Sequence, residues 1–104
     1  MKTITMKYAF KLYVIEDTAN GMKAIRNLQE ITELIPKGQC KVEVIDILKN
    51  PEIAIKDSII ATPTLIKAYP YPPRRVIGDL SNPDNVIFGL GLKNLKMIKD
   101  LKNE

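Results

Sequence analysis

From Lys7 to Val14 apolar and polar positions alternate, with Tyr8, Phe10, Leu12 and Val14 on one side of an extended chain and Lys7, Ala9, Lys11 and Tyr13 on the other. A period of two predicts a strand with one strongly apolar face. The period then changes. After Thr18, the residues Met22, Ile25, Leu28, Thr32 and Ile35 recur at helical spacing while Lys23, Arg26, Glu30 and Glu33 turn away, until Pro36-Lys37-Gly38 interrupts the run. This predicts a helix of about four turns at ~3.6 residues per turn. Lys41 to Leu48 is short and β-branched, with Val42, Val44, Ile45 and Ile47, and predicts a second strand. A crossover of ~25 residues favours parallel pairing and a right-handed connection, so the first half reads as a βαβ unit.

Two patterns compete in the second half. Asn50-Pro51-Glu52 is a helix entry, since Asn caps well and Pro suits the first turn, with Ile53, Ile55, Ile59 and Ile60 available for burial. Ala61 to Ile66 and Arg74 to Gly78 are two short strand-like runs joined by the stiff turn Pro70-Tyr71-Pro72-Pro73, which predicts a hairpin. Asp79 to Asp84 opens a helix, yet Val86 to Leu92 leans towards strand and carries Gly89 and Gly91. Each interior glycine costs a helix about 1 kcal/mol relative to alanine. Two of them remove ~2 kcal/mol from a domain stability of ~5–15 kcal/mol, which brings helix and strand within reach of one another. From Leu92 to Leu101 helical spacing returns, with Leu92, Leu95, Ile98 and Leu101 on one side and Lys93, Lys96, Lys99 and Lys102 flanking them. The apolar side has no aromatics for a membrane interface, so the helix is expected to pack on the domain or on another subunit.

A chain of 104 residues has room for one domain. Residues 1–7 and 93–104 are expected to be peripheral termini of it. With 45% hydrophobic and 27% charged residues the composition excludes a disordered chain or a disulfide scaffold. The candidate chemistry is thin. There is no histidine and one cysteine, Cys40, so an intrachain disulfide, a CxxC pair, the usual zinc ligands and the usual general base are all missing. No catalytic residue, metal or cofactor is expected. Met1 to Lys7 lacks the apolar core of a signal peptide, and no apolar run approaches the ~18 residues of a membrane span. A cytoplasmic protein without stable membrane insertion is the expectation. The net charge of +4 is scattered from Lys2 to Lys102 rather than gathered in a stripe with exposed aromatics, which argues against nucleic acid as a partner.

The order strand, helix, strand, helix, proline, strand, turn, strand, helix resembles a thioredoxin-like domain. In that superfamily a cis-proline precedes the third strand, and Thr62-Pro63-Thr64 stands at that place. Thioredoxin chemistry needs a thiolate at the N-terminus of the first helix, where the dipole lowers its pKa. Here that stretch reads Ile15-Glu16-Asp17-Thr18-Ala19-Asn20. Cys40 lies just before the second strand, and lone cysteines are commonly small buried hydrophobes. An oxidoreductase that depends on Cys40 is the least favoured alternative.

A closer resemblance is to the KaiB family of circadian clock proteins and its bacterial relatives. It is carried by Lys11-Leu12-Tyr13-Val14, Val44-Ile45-Asp46 with Leu48-Lys49-Asn50-Pro51, Ala61-Thr62-Pro63-Thr64-Leu65 and Arg74-Arg75-Val76-Ile77-Gly78-Asp79-Leu80-Ser81, and runs from about Tyr8 to Leu92. The resemblance implies a non-catalytic regulatory protein that binds a KaiC-type ring ATPase and autokinase and modulates its phosphorylation state. It further implies KaiA or a sensor histidine kinase as additional partners. The family also switches fold between a resting homo-oligomer, dimer or tetramer, with the order βαββααβ, and a thioredoxin-like monomer, βαβαββα, that binds. Candidates for that switch are Pro63, Pro70, Pro72 and Pro73 with Gly89 and Gly91. If the binding form is a minor state, apparent affinity falls with its population and association is slow. Candidate partner-binding residues are the charges Lys11, Lys23, Arg26, Asp46, Lys67, Arg74 and Arg75, expected to be exposed and to guide docking. The chain departs from the cyanobacterial pattern at Glu16-Asp17, Glu43, Gly91 and the basic tail. An alternative is therefore a KaiB-like protein acting with KaiC in stress adaptation or a simple timer, without KaiA.

Overall fold

The computed structural model describes residues 6–102. Tyr8–Val14 forms β1, and Ala19–Thr32 forms α1. Thr18 caps α1, its hydroxyl accepting from the Gly21 amide at 3.0 Å and donating to the Ile15 carbonyl at 2.7 Å. The helix stops at Thr32, a few residues short of the Pro36 interruption. Its buried face also differs from the expected one: Gly21, Ala24, Leu28 and Ile31 point inward while Met22 is exposed. The reason is close approach. A Cβ at Gly21 would lie 2.4 Å from the Ile15 carbonyl oxygen, so the first turn of α1 sits tight against the loop that leads into it, where glycine fits, and Leu28 and Ile31 follow on the same inward side.

Cys40–Asp46 forms β2, parallel to β1 with Leu12 opposite Val44, which makes the expected βαβ unit. Pro51–Lys56 forms the short α2, with proline in its first turn as expected. Asn50 makes no side-chain cap bond to it; its amide instead donates to the Asp46 carbonyl at 3.1 Å. Nor does α2 bury its isoleucines. Ala54 is buried, whereas Ile53, Ile55 and Ile60 are exposed, and only Ile59 is tucked in.

Thr64–Tyr69 and Arg74–Ile77 form β3 and β4, an antiparallel hairpin around the proline-rich turn. β3 pairs antiparallel with β1, giving a four-stranded sheet in the order β2-β1-β3-β4. The Thr62-Pro63, Tyr69-Pro70 and Tyr71-Pro72 bonds are cis. Pro83–Gly89 forms α3, opened by the Asn82 side chain accepting from the Asn85 amide at 3.2 Å, and Lys93–Lys102 forms α4. Gly91, at φ +71°, makes the turn between them. The strand-leaning stretch from Val86 is thus helical here as far as Gly89, and the order of elements is that of the thioredoxin-like arrangement.

The sheet is covered unequally. Phe10, Leu12, Val14 and Leu65 meet Ala24, Leu28 and Ile31 of α1 and Val86, Ile87, Leu90 and Leu95 of α3 and α4 in the main core. Leu95, in the segment expected to be peripheral, is 1% exposed and belongs to that core. Residues 1–5 and 103–104 of the expected termini lie outside the described residues. The opposite face carries a smaller cluster of Tyr13, Ile45 and Ile66, packed against Ile47 and Ile59. Tyr13 therefore belongs to a second core rather than to a polar face.

Candidate functional site

The position beside the first helix that carries the chemistry of a thioredoxin is here a cavity of about 320 Å³ lined by Ile15, Thr18, Ala19, Asn20, Thr62 and Pro63. None of these side chains is a nucleophilic thiol or an acid-base group. Cys40 stands at the start of β2, opposite Tyr8, half-buried, and burial pushes its thiol pKa up. A thiol shifted in that direction has less thiolate at neutral pH, the reverse of a redox-active cysteine. Among the described residues no group of three or more His, Cys, Asp or Glu side chains could hold a metal ion.

The charged residues singled out from the sequence do not share one surface. Lys11 and Arg75 meet at the end of α2. The Lys11 ammonium is 3.7 Å from the Asp57 carboxylate, and the Arg75 guanidinium donates to the Asp57 and Ser58 carbonyls at 2.9 and 3.2 Å. A cation on the last carbonyls of a helix satisfies acceptors the helix leaves open and suits its dipole. Tyr13, buried beneath them, donates its hydroxyl to the same carboxylate. Burial, then the Asp57 carboxylate, push the Tyr13 phenol well above the ordinary tyrosine range. Lys11 and Arg75 thus fasten the segment after α2 to the sheet, a role the charge pattern alone did not reveal.

Lys67 and Arg74 are cross-strand neighbours on the other face of the hairpin. Lys67 is 4% exposed, and burial with the nearby Arg74 charge lowers its pKa. Asp46 is 7% exposed, and its carboxylate accepts from the Leu48 amide at 2.9 Å, shaping the turn out of β2. Neither is the exposed docking charge expected of it: Lys67 is covered because it shares a face with Phe10, and Asp46 because its partner is its own backbone. Arg74 is exposed and lies beside Gly91, where a Cβ would be 3.4 Å from its Nε. Lys23 and Arg26 are exposed on α1.

The proline and glycine candidates gather around the hairpin and α3. Pro63 is buried and its carbonyl accepts from the Gly78 amide at 2.9 Å, while Pro70 is half-buried and Pro72 and Pro73 are exposed in the turn. Gly89 ends α3 close to β4, where a Cβ would come within 2.9 Å of a Val76 methyl. Sequence reasoning missed Leu80, which is buried in the main core at φ +65°, a left-handed conformation rare for a branched side chain. The linker holding it is clasped from two sides: the Asn27 amide donates to the Asp79 carbonyl at 2.8 Å and the Asp79 carboxylate accepts from the Ser81 amide at 3.0 Å.

The accessible surface includes several exposed aliphatic side chains. β2 is an edge strand with Val42 and Val44 partly exposed, and Leu48, Ile53, Ile55 and Ile60 leave aliphatic side chains in solvent along and around α2. Scattered exposed aliphatics are ordinary, but here several fall on one short helix and its flanks.

The fold is that of a thioredoxin-like domain, and the N-terminus of its first helix carries no thiol. Solved structures agree on the fold: the N-terminal domain of Synechococcus elongatus SasA superposes with a TM-score of 0.67 at 14% identity, covering 84% of this chain and 85% of that one. Chloroplastic thioredoxin z superposes with a TM-score of 0.65 at 18% identity, covering 90% of this chain and 80% of that one. The sequence comparisons go further. The KaiB domain family matches residues 11–92. The circadian clock oscillator protein KaiB of Thermosynechococcus vestitus is 48% identical over 92 residues, covering 88% of this chain and 85% of the relative. The KaiB of Prochlorococcus marinus strain MIT 9211 is 52% identical over 85 residues, covering 82% of this chain and 75% of the relative. The chain belongs to the KaiB family, whose named relatives are circadian clock oscillator proteins, and a role in a Kai-type clock system follows from that membership.

Proposed function

We propose that this protein is a non-catalytic adaptor that binds a KaiC-type ring ATPase and autokinase and modulates its phosphorylation state. The observation that carries the reading is the pairing of a KaiB-family sequence with a thioredoxin-like domain whose first-helix N-terminus, Glu16-Asp17-Thr18-Ala19, holds no thiol. What such a domain has left to offer is surface. The exposed aliphatics of α2 and the β2 edge supply contact area, and Lys23, Arg26 and Arg74 supply steering charge.

The thioredoxin-like arrangement is the binding-competent form, and a resting homo-oligomer of the other arrangement limits its population. The competing tendencies of Val86 to Leu92 support a narrow gap between the two. KaiA or a sensor histidine kinase with a related domain is a further partner in this reading. A second version, in which the protein serves a KaiC-type ATPase in stress adaptation or as a simple timer without KaiA, is favoured by Glu43. It sits on the exposed β2 edge, paired with Lys41 at 3.3 Å, where cyanobacterial relatives tend to be basic.

The test is binding of the purified chain to its cognate KaiC-type ATPase, followed with time after mixing, beside light scattering on the free protein. Complex formation over minutes to hours from a free oligomer supports both the adaptor and the scarce binding form. Rapid binding by a free monomer keeps the adaptor and removes the population limit. Absence of binding in every nucleotide state overturns the adaptor reading.

A further inference from the structure

Among the described residues Lys67 is the one buried lysine, 4% exposed, and it takes part in no ion pair there; nor do Lys93 and Arg74, its cross-strand partner. A buried cation is ordinarily paired, because desolvation penalises the charge. Burial, with the neighbouring Arg74 charge, lowers the Lys67 pKa, the direction of a cation that lacks a counter-charge. Two contacts show what lies beside this pair. Arg74 reaches Gly91, where a Cβ would stand 3.4 Å from its Nε and 3.7 Å from its Cδ. Phe10, opposite Lys67 in the sheet register, stacks on Tyr8 with ring centroids 6.2 Å apart. Both Gly91 and Tyr8 line one cavity of about 250 Å³, together with Pro70, Leu92, Lys93 and Asn94. At ~30 Å³ per water, that is room for a small ion and several waters.

The backbone adds donors at the same place. α4 begins at Lys93 with no acidic residue in its first turn, and the Lys93 and Asn94 amides have no backbone acceptor among the described residues. Open amides in the first turn of a helix favour an anion. No carboxylate lines the cavity, and Asp84 and Asp100, the acids of α3 and α4, already face Lys96 and Lys99. Cations from β3, β4 and α4 therefore border a space that no acid of the lining neutralises.

We propose that this cavity binds a small oxyanion of the phosphate class, held by the Arg74 guanidinium, Lys93 and the first amides of α4, with the Lys67 charge behind it. A compact tetrahedral anion suits the site better than an acidic side chain of a partner protein. It offers acceptor oxygens in several directions at once, to the planar fork of Arg74 and to the amides, and it is small enough to come near an enclosed lysine. The inference does not rest on the ATPase reading, and its test needs no partner protein.

Isothermal titration of the full chain with inorganic phosphate, at an ionic strength held constant with chloride, tests it. One phosphate per chain is expected. Arg74→Gln and Lys67→Met are each expected to weaken binding about tenfold or more with unchanged far-ultraviolet circular dichroism, as the loss of a charged hydrogen-bond partner does. Position 91 gives a second arm. Its φ of +71° is a left-handed conformation that Asp and Asn enter more readily than other side chains. Gly91→Asp sets a carboxylate against Arg74 and is expected to abolish phosphate binding, whereas Gly91→Asn, with the same backbone demand and no charge, keeps it within a few-fold. Without phosphate the Asp variant is expected to resist denaturant better than the Asn variant, and saturating phosphate narrows that gap. Absence of phosphate binding by the parent chain overturns the proposal. So does binding that survives both Arg74→Gln and Lys67→Met, which places the ion elsewhere, and so does a Gly91→Asp variant that binds phosphate as well as Gly91→Asn.

Discussion

The Tyr13 hydroxyl donates to the Asp57 carboxylate, joining a central strand of the sheet to the end of α2 across 44 residues of sequence. Lys11 and Arg75 close on the same point from β1 and β4. Four residues from three elements thereby fix a face of the sheet that only one short helix covers. Hydrogen bonds to a charged group contribute about 1.5–3 kcal/mol, and leaving the buried partner unsatisfied costs more than removing both. Tyr13→Phe is therefore expected to destabilise the thioredoxin-like arrangement by about that amount. Adding Asp57→Asn costs less than the sum of the two single changes, as a double-mutant cycle by denaturant unfolding would show.

The same pair sets an alkaline limit. Burial and the Asp57 carboxylate raise the Tyr13 pKa in the folded chain above its unfolded value near 10. A group raised in this way keeps the folded state's advantage in full below the unfolded pKa and loses it as pH rises from there towards the folded pKa. Stability is expected to be flat through neutral pH and to decline above about pH 10. In Tyr13→Phe that decline is reduced, and the late phase of tyrosinate absorbance on alkaline titration disappears.

Much of the architecture was legible because it rests on local chemistry. Alternation fixed β1, Thr18 fixed the start of α1, and the Pro70 to Pro73 turn separated the two strands of the hairpin. What escaped the pattern depends on contacts remote in sequence. Tyr13 alternates with the core residues and is still fully buried, because Ile59 and Asp57 arrive on its side of the sheet. The inward face of α1 keeps Leu28 and Ile35 as the pattern predicts but turns towards Gly21, Ala24 and Ile31 in place of Met22 and Thr32, and the close approach at Gly21 has no signal in hydrophobic size. Lys67 and Asp46 carry charges that sequence reads as solvent-exposed, and only the register with Phe10 and the turn at Leu48 explain their burial. The convergence of Lys11 and Arg75 on Asp57 has no local signal at all.

Gly21→Ala gives a direct check on that close approach. Alanine raises intrinsic helix propensity by up to about 1 kcal/mol, so on propensity alone the variant is stabilised. The added Cβ, however, meets a backbone oxygen at 2.4 Å, which no side-chain rotation relieves. Overpacking of this kind typically costs 1–3 kcal/mol or more. A net loss of stability by thermal or denaturant unfolding is expected, and a gain would show that the first turn of α1 can move off the Ile15 carbonyl at no expense.

Cys40 offers a test of the non-redox reading that needs no partner. Its pKa is raised by burial, so at neutral pH it is expected to react with a thiol reagent more slowly than a free cysteine, with a rate that climbs as pH passes above the ordinary thiol range. Cys40→Ser is expected to leave ATPase binding unchanged. Fast labelling at neutral pH, or loss of binding in the variant, would return the oxidoreductase alternative to consideration.

The last helix separates core from surface within a few residues. Leu95 is 1% exposed in the main core and Leu101, less than two turns further, is 68% exposed. Leu95→Ala leaves a cavity beneath the sheet and is expected to cost about 2–5 kcal/mol, the range for buried leucines. Leu101→Ala is expected to stay within about 0.5 kcal/mol, as exposed substitutions do. Equal and small effects would mean that α4 contributes nothing to the domain and that residues from 93 onward are peripheral after all. The predicted tenfold or larger difference in the unfolding equilibrium instead makes α4 a structural part of the thioredoxin-like arrangement, held by Leu95 while its outer stripe stays in solvent.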